Sequence, residues 1–287
     1  MTISEYLQQQ YTAGTAASYG REIEIFLSGY PLATVAVYSD LMAYVGQLRL
    51  RYSNGQTLNR IVCSIKAYYD YLCYTGKRSD HPGRAIRLRD RRSRDVQLQD
   101  LFSVEELEGL LIRKERYTGL TSRNKVLMSL LIYQGLQAGE MAALWVQSFN
   151  LVAGTVYIKR TAVSNGRTLS LKPNQVLLIY SYLQEVRPQL LQGVSSDALL
   201  IGLRGHPMAA EDITKHVKRS YAGVFGSRVV NAQTIRQSVI RNLLKQGHDI
   251  SVVQQYAGHK YPSSTERYRQ QQVDRLQAAI EAYHPMK

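Results

Sequence analysis

Apolar residues recur at three- and four-residue intervals along most of the chain, the spacing that lines one face of an α-helix. Ile3, Tyr6 and Leu7 mark a short helix over Thr2–Gln10. Tyr19, Ile23, Phe26 and Leu27 share a face of a second, which starts after Gly14 with Thr15 as its cap and breaks at Pro31. A third, over about Val35–Arg51, places Leu41, Tyr44, Val45 and Leu48 on one side. Ser53-Asn54-Gly55 then turns the chain into a fourth, Thr57–Tyr74, stopped by Gly76 where a left-handed cap favours glycine. Leu58, Ile61, Ile65, Tyr69 and Leu72 of this helix belong to a core. Its Asn59, Arg60 and Lys66 point outward, either as a DNA-contacting face or as an ordinary solvated one.

The second half repeats the pattern with one interruption. Ser103 and Glu106 form a capping box ahead of Leu107, Leu110 and Leu111. An apolar helix over Arg123–Gln134 is closed by Gly135, and a short one follows over Gln137–Leu144. The period then drops to two: residues 154–160 and 167–171 alternate around Ser164-Asn165-Gly166, and Asn-Gly is a strong hairpin signal. Helices resume from Pro173 through about Val186, over Pro207–Tyr221 with Lys215, Lys218 and Arg219, over Thr234–Gln246, over Ile250–Ala257 and over Gln271–Tyr283. The fold class is mainly α with a small antiparallel β-sheet, an α+β chain without internal repeats.

Between the halves the composition changes. His81-Pro82-Gly83 ends the first helical region, and Arg84, Arg87, Arg89, Arg91, Arg92 and Arg94 follow within a few residues. The segment reads as a linker over residues 81–100, lying along phosphate or simply solvated, between a helical domain over 1–80 and a second domain over 101–287. A length of 287 residues with 45% apolar residues suits two cores. Charge narrows the partner: 36 Lys and Arg against 22 Asp and Glu give a formal +14, an excess that points to a polyanion. Nucleic acid is the first candidate, with an anionic membrane surface and a solvated basic surface as alternatives. No run approaches the ~20 apolar residues of a membrane span, and MTISEYLQQQ lacks the basic and apolar regions of a signal peptide, so a cytoplasmic location is expected. Cys63 and Cys73 fall on one helix about 15 Å apart, too far to bridge, and without further ligands at metal spacing. Both read as small core residues; no cofactor and no metal is expected.

Two motifs carry the chemistry. GLQAGEMAAL is similar to G-L-R-x-x-E-x-x-x-L, with Glu140 and Leu144 in place, and TIRQSVIRNLLKQGHDISVVQQYAGHKYPSSTERY is similar to H-x-L-R, then G, then L-G-H, then a tyrosine nine residues on. With these motifs in this order, the chain resembles the tyrosine recombinases, the phage integrase and Xer-like family, along nearly its whole length. The resemblance implies a two-domain DNA clamp: a helical core-binding domain over Thr2–Gly76 and a catalytic domain with a C-terminal docking helix. It implies double-stranded DNA as partner, and a homo-oligomer, four protomers on two DNA sites, or a partner recombinase. It places the nucleophile on Tyr268, forming a 3′-phosphotyrosine, the second arginine on Arg236 and the second histidine on His259. The first arginine falls on Gln137 and the first histidine on Gln233. The family's hairpin lysine falls near Thr161, and Lys159, two residues earlier, is expected on the same sheet face and within reach. A glutamine donates a hydrogen bond but brings neither charge nor a bidentate fork. The resemblance therefore leaves two readings, a recombinase with impaired catalysis or a non-enzymatic accessory, architectural or regulatory DNA binder.

Overall fold

The computed structural model describes residues 1–88, 100–113, 115 and 118–268. The chain divides into two compact units, Met1–Arg94 and Asp95–Lys287.

The first unit holds α1 (Ile3–Gln10), α2 (Ala13–Gly29), α3 (Tyr38–Arg51) and α4 (Gly55–Tyr74). Thr2 and Glu5 close a capping box at α1. Helix α2 starts at Ala13, three residues earlier than Thr15 as its cap would place it, and the Thr12 hydroxyl donates to that of Thr15 at 3.0 Å. Asn54 caps α4 through Gln56 N at 2.8 Å, and Gly76 adopts φ +68° at its end. The core gathers Ile23 and Phe26 from α2, Leu41, Val45 and Leu48 from α3, and Leu58, Ile61, Ile65, Tyr69 and Leu72 from α4. Tyr69 is fully buried and its hydroxyl donates to the Ala33 carbonyl at 2.7 Å, which satisfies the one polar atom such burial would strand. Cys63 and Cys73 are free and half-buried rather than fully in the core.

The basic face of α4 is partly engaged within the first unit. Arg60 is exposed but pairs with Glu22 at 2.6 Å and Ser18 at 2.7 Å, tying α4 to α2. Lys66 is half-buried, not outward, and donates to the Ile86 carbonyl at 2.6 Å. Ile86 is itself 4% exposed within the first core, with Leu88 packed beside it. The segment after Gly83 is thus anchored by apolar side chains among its arginines, and the first core extends past residue 80. Arg84 and Arg87 stay exposed. Arg89, Arg91, Arg92 and Arg94 lie outside the described residues, as does the helix expected over Gln271–Tyr283.

In the second unit α5 (Val104–Gly109) opens with the Ser103/Glu106 capping box. Helix α6 (Thr118–Tyr133) runs through the middle of the core, with Val126, Leu127, Met128, Leu130 and Leu131 all at 1% exposure or less. After Gly135, at φ +60°, comes α7 (Ala138–Ala142). The sheet is antiparallel in the order β1 (Phe149–Asn150), β2 (Thr155–Ile158), β3 (Arg167–Ser170), with Phe149 opposite Val156 and Ile158 opposite Arg167. This register leaves residues 159–166 as the β2–β3 connection, so Asn165-Gly166 is not a two-residue turn. The Asn165 amide instead donates to the Gly258 carbonyl at 2.9 Å, and Ser164 bridges to His259. Next, α8 (Pro173–Ser181) continues through a wider turn at Tyr182–Val186 into α9 (Arg187–Leu191), past its expected end. Helix α10 (Ala210–Ser220) begins after Pro207, which pairs with Ile201. Helices α11 (Ala232–Lys245), α12 (Ile250–Ala257) and α13 (Ser263–Glu266) complete the described chain. The architecture is mainly helical with one small antiparallel sheet. Among the described residues no helix is long and apolar enough to cross a membrane.

Candidate active site

Helix α11 positions the centre of the site. Asn231 caps it, accepting from Gln233 N and Thr234 N at 2.9 Å each, and Ala232, Ile235, Val239 and Ile240 form its buried stripe. Arg236 sits on that stripe at 7% exposure, so its guanidinium is drawn inward, where Nη1 donates to the Gly135 carbonyl at 2.6 Å and Nη2 to the Ala257 carbonyl at 2.5 Å. A buried carboxylate supports it. Glu140 of α7 lies 3.7 Å from Arg236 and forms a bidentate pair with Arg167 of β3 at 2.7 and 3.0 Å. Burial pushes the Glu140 carboxyl up, but the hydrogen bonds and charge of Arg167 outweigh it and hold its pKa below the usual value. Glu140 also accepts from the Gln137 amide at 2.9 Å, so one side chain caps α7 and compensates two guanidiniums.

Above this floor opens a cleft of about 630 Å³ lined by residues from α7, α10, α11 and the end of the described chain, among them Gln137, Lys218, Gln233, Arg236, Arg267 and Tyr268. Gln137 is half-buried and Gln233 exposed, and neither side chain makes a hydrogen bond among the described residues. Tyr268 is 8% exposed and packs on Ile240, Val253 and Ala257. Burial raises its phenol pKa, whereas Arg236, Arg267 and a hydrogen bond with Gln237 act in the opposite direction. The hydroxyl is therefore protonated at neutral pH, in a place where two cations favour its ionised form.

His259 stands beside the cleft rather than in its wall. It follows Gly258, which ends α12 at φ +69° and leaves no room for a Cβ: such an atom would lie 2.9 Å from Cζ of Arg167 and 3.1 Å from the Asn165 carbonyl. The ring Nδ1 lies 2.8 Å from the Thr265 hydroxyl, on the buried side of α13. Burial, then the charges of Arg236, Arg267 and Arg167, lower the imidazole pKa to about 4, so the ring is neutral at physiological pH.

Residues 102–275 match the sequence model of the phage integrase family. The chain belongs to the phage integrase family, the tyrosine recombinases. It is similar to the tyrosine recombinase XerD of Oceanobacillus iheyensis, with 27% identity over 250 residues that cover 86% of this chain and 82% of the relative. Among solved structures it is similar to the Tn1549 transposon integrase in complex with transposon right end DNA, with a TM-score of 0.69, 15% identity and coverage of 99% and 100%. It is also similar to the XerH site-specific recombinase bound to palindromic difH substrate, with a TM-score of 0.66, 20% identity and coverage of 87% and 73%.

In this tyrosine recombinase the positions singled out from sequence divide cleanly. Gln137, Lys218, Gln233, Arg236 and Tyr268 share one cleft. Lys159 is exposed immediately beyond the end of β2 at Ile158 and is not among the residues that line this cleft. Lys215 and Arg219 are exposed on α10, away from the lining. Three participants went unnoticed in the sequence. Arg167 reads as a strand residue, although an arginine at an inward strand position needs a buried partner; Gln237 and Arg267 carry no signal of their own in the sequence.

Proposed function

We propose that the chain binds double-stranded DNA and acts in site-specific recombination or integration through Tyr268, with catalysis slowed by Gln137 and Gln233. In the step envisaged, the Tyr268 oxygen attacks a backbone phosphorus; a phosphorus–oxygen bond forms to tyrosine as the bond to the 5′ oxygen breaks. The phenolic proton leaves the nucleophile, and the departing 5′ oxygen gains one to become a hydroxyl. Arg236 would neutralise charge growing on the non-bridging oxygens. His259, neutral and oriented by Thr265, would orient phosphate or relay a proton through its free ring nitrogen. The observation that carries this reading is the convergence of Arg236 and Tyr268 in one open cleft. Relatives of the same fold are seen in complex with DNA, which supports duplex DNA as the partner. Exposed Arg84, Arg87, Lys215, Lys218 and Arg219 suit contacts to the DNA backbone. Action as a tetramer on two DNA sites, or with a partner recombinase, belongs to the same proposal.

A second reading is favoured by the same cleft. Gln137 and Gln233 line it without supplying charge, and loss of one transition-state donor lowers a rate by about 10²–10³. A protein that clamps duplex DNA without cutting it would carry these substitutions at no loss. The two readings separate on a duplex selected by the chain from a random-sequence pool and nicked next to each phosphate in turn. A denaturant-stable protein–DNA adduct that disappears in Tyr268→Phe supports cleavage. Tight binding with no adduct at any nick supports the clamp.

A further inference from the structure

We propose that Arg267 is the second cation on the phosphate held in this cleft, supplying with Arg236 the charge that Gln137 and Gln233 do not carry. This rests on the reading that the cleft receives a DNA phosphate. Among the described residues three cationic side chains line it, Lys218, Arg236 and Arg267. Arg236 is buried and already donates to two backbone carbonyls, so only part of its fork remains for a ligand. Arg267 differs in each respect. It is exposed, it precedes Tyr268 directly at the end of α13, and it makes no hydrogen bond or ion pair among the described residues. A guanidinium carries five N–H donors, so this one offers its full fork to an oxyanion. Its charge also acts on both groups that matter for transfer, the Tyr268 hydroxyl and the His259 ring, whereas that of Lys218 is not among the leading influences on either. Lys218, in the last turn of α10, fits a flanking phosphate.

The test is methylphosphonate scanning. The full chain is bound to its pool-selected duplex, and to a series in which one phosphate at a time is replaced by the neutral methylphosphonate. Arg267→Ala weakens binding to the unmodified duplex about tenfold, the size of one charge-assisted hydrogen bond. That loss largely vanishes when one particular phosphate is neutralised, whereas Lys218→Ala loses its effect at a different position. Arg267→Lys recovers part of the affinity, and an unchanged melting temperature shows that the variants remain folded. An Arg267→Ala loss of equal size at every methylphosphonate position, or no loss at all, overturns the proposal. Binding reads Arg267 even where no adduct forms, so failure of the cleavage reading is distinguished from failure of this one.

Discussion

Replacing Glu140 by glutamine keeps the shape of the side chain and removes its charge from between two buried guanidiniums. The Glu140 and Arg167 side chains are 2% and 3% exposed. Breaking one partner of such a pair costs about 3–5 kcal/mol, because the remaining charge stays buried without compensation. Arg236, 3.7 Å from the carboxylate, becomes a second uncompensated neighbour and repels Arg167, which places the expected loss in the upper half, about 4–5 kcal/mol. For a domain of this size each kcal/mol shifts Tm by about 2–4 °C, so Glu140→Gln should melt roughly 8–20 °C lower. The exposed pair Lys172–Glu108, 3.3 Å apart with both side chains about half exposed, provides the comparison: Glu108→Gln should change stability by no more than about 1 kcal/mol. Calorimetry and urea unfolding at pH 7 measure both. The pH dependence adds a second arm. Because the folded-state pKa of Glu140 is depressed, its contribution is complete above its unfolded value of about 4.3 and is lost as pH falls through the folded value. The gap between wild type and Glu140→Gln should therefore narrow in acid. A loss below about 1 kcal/mol, with a gap unchanged from pH 7 to pH 3, would refute the reasoning.

Three further outcomes follow from the site. Gly258→Ala places a Cβ against Arg167 at a backbone conformation that side chains rarely adopt, and should cost about 2 kcal/mol or more in urea unfolding. Gly76→Ala, at a similar φ of +68° but with open space around it, should cost about 1 kcal/mol. By NMR titration His259 should protonate near pH 4 rather than near 6.5, so its contribution to folding declines as pH falls between those values; Arg267→Ala should raise the midpoint by removing a nearby cation. Gln137→Arg with Gln233→His should increase adduct yield on the nicked duplex at least tenfold if missing charge limits the reaction, whereas no increase would place the limitation elsewhere in the pocket.

The helices were legible because their signals are local. Ser103 with Glu106, Gly76, Gly135 and Gly258 mark ends through capping and left-handed backbone, which depend on a few adjacent residues. The hairpin around Asn165-Gly166 was legible too, but not the length of its connection: residues 159–166 join the strands, and the Asn165 amide donates to the Gly258 carbonyl, far away in the sequence. The fate of Arg60 and Lys66 was hidden for the same reason, since Glu22 and the Ile86 carbonyl lie on other segments. In the site, Arg236 and Tyr268 were readable from motif order, but the Glu140–Arg167 pair beneath them joins a helix to a strand and shows only when both are folded. Arg267 illustrates the converse: it lies inside a readable motif next to Tyr268, and only its position in the cleft gives it meaning.

The central claim is that the cleft delivers a DNA phosphate to the Tyr268 hydroxyl. Its most direct test is to trap the chain on the nicked duplex, digest protein and DNA, and locate the cross-linked residue by mass spectrometry. The account predicts a nucleotide joined through its 3′ phosphate to the tyrosine at position 268, and none in Tyr268→Phe. A nucleotide on any other residue, or no cross-link at any nick position while the duplex remains tightly bound, would contradict it.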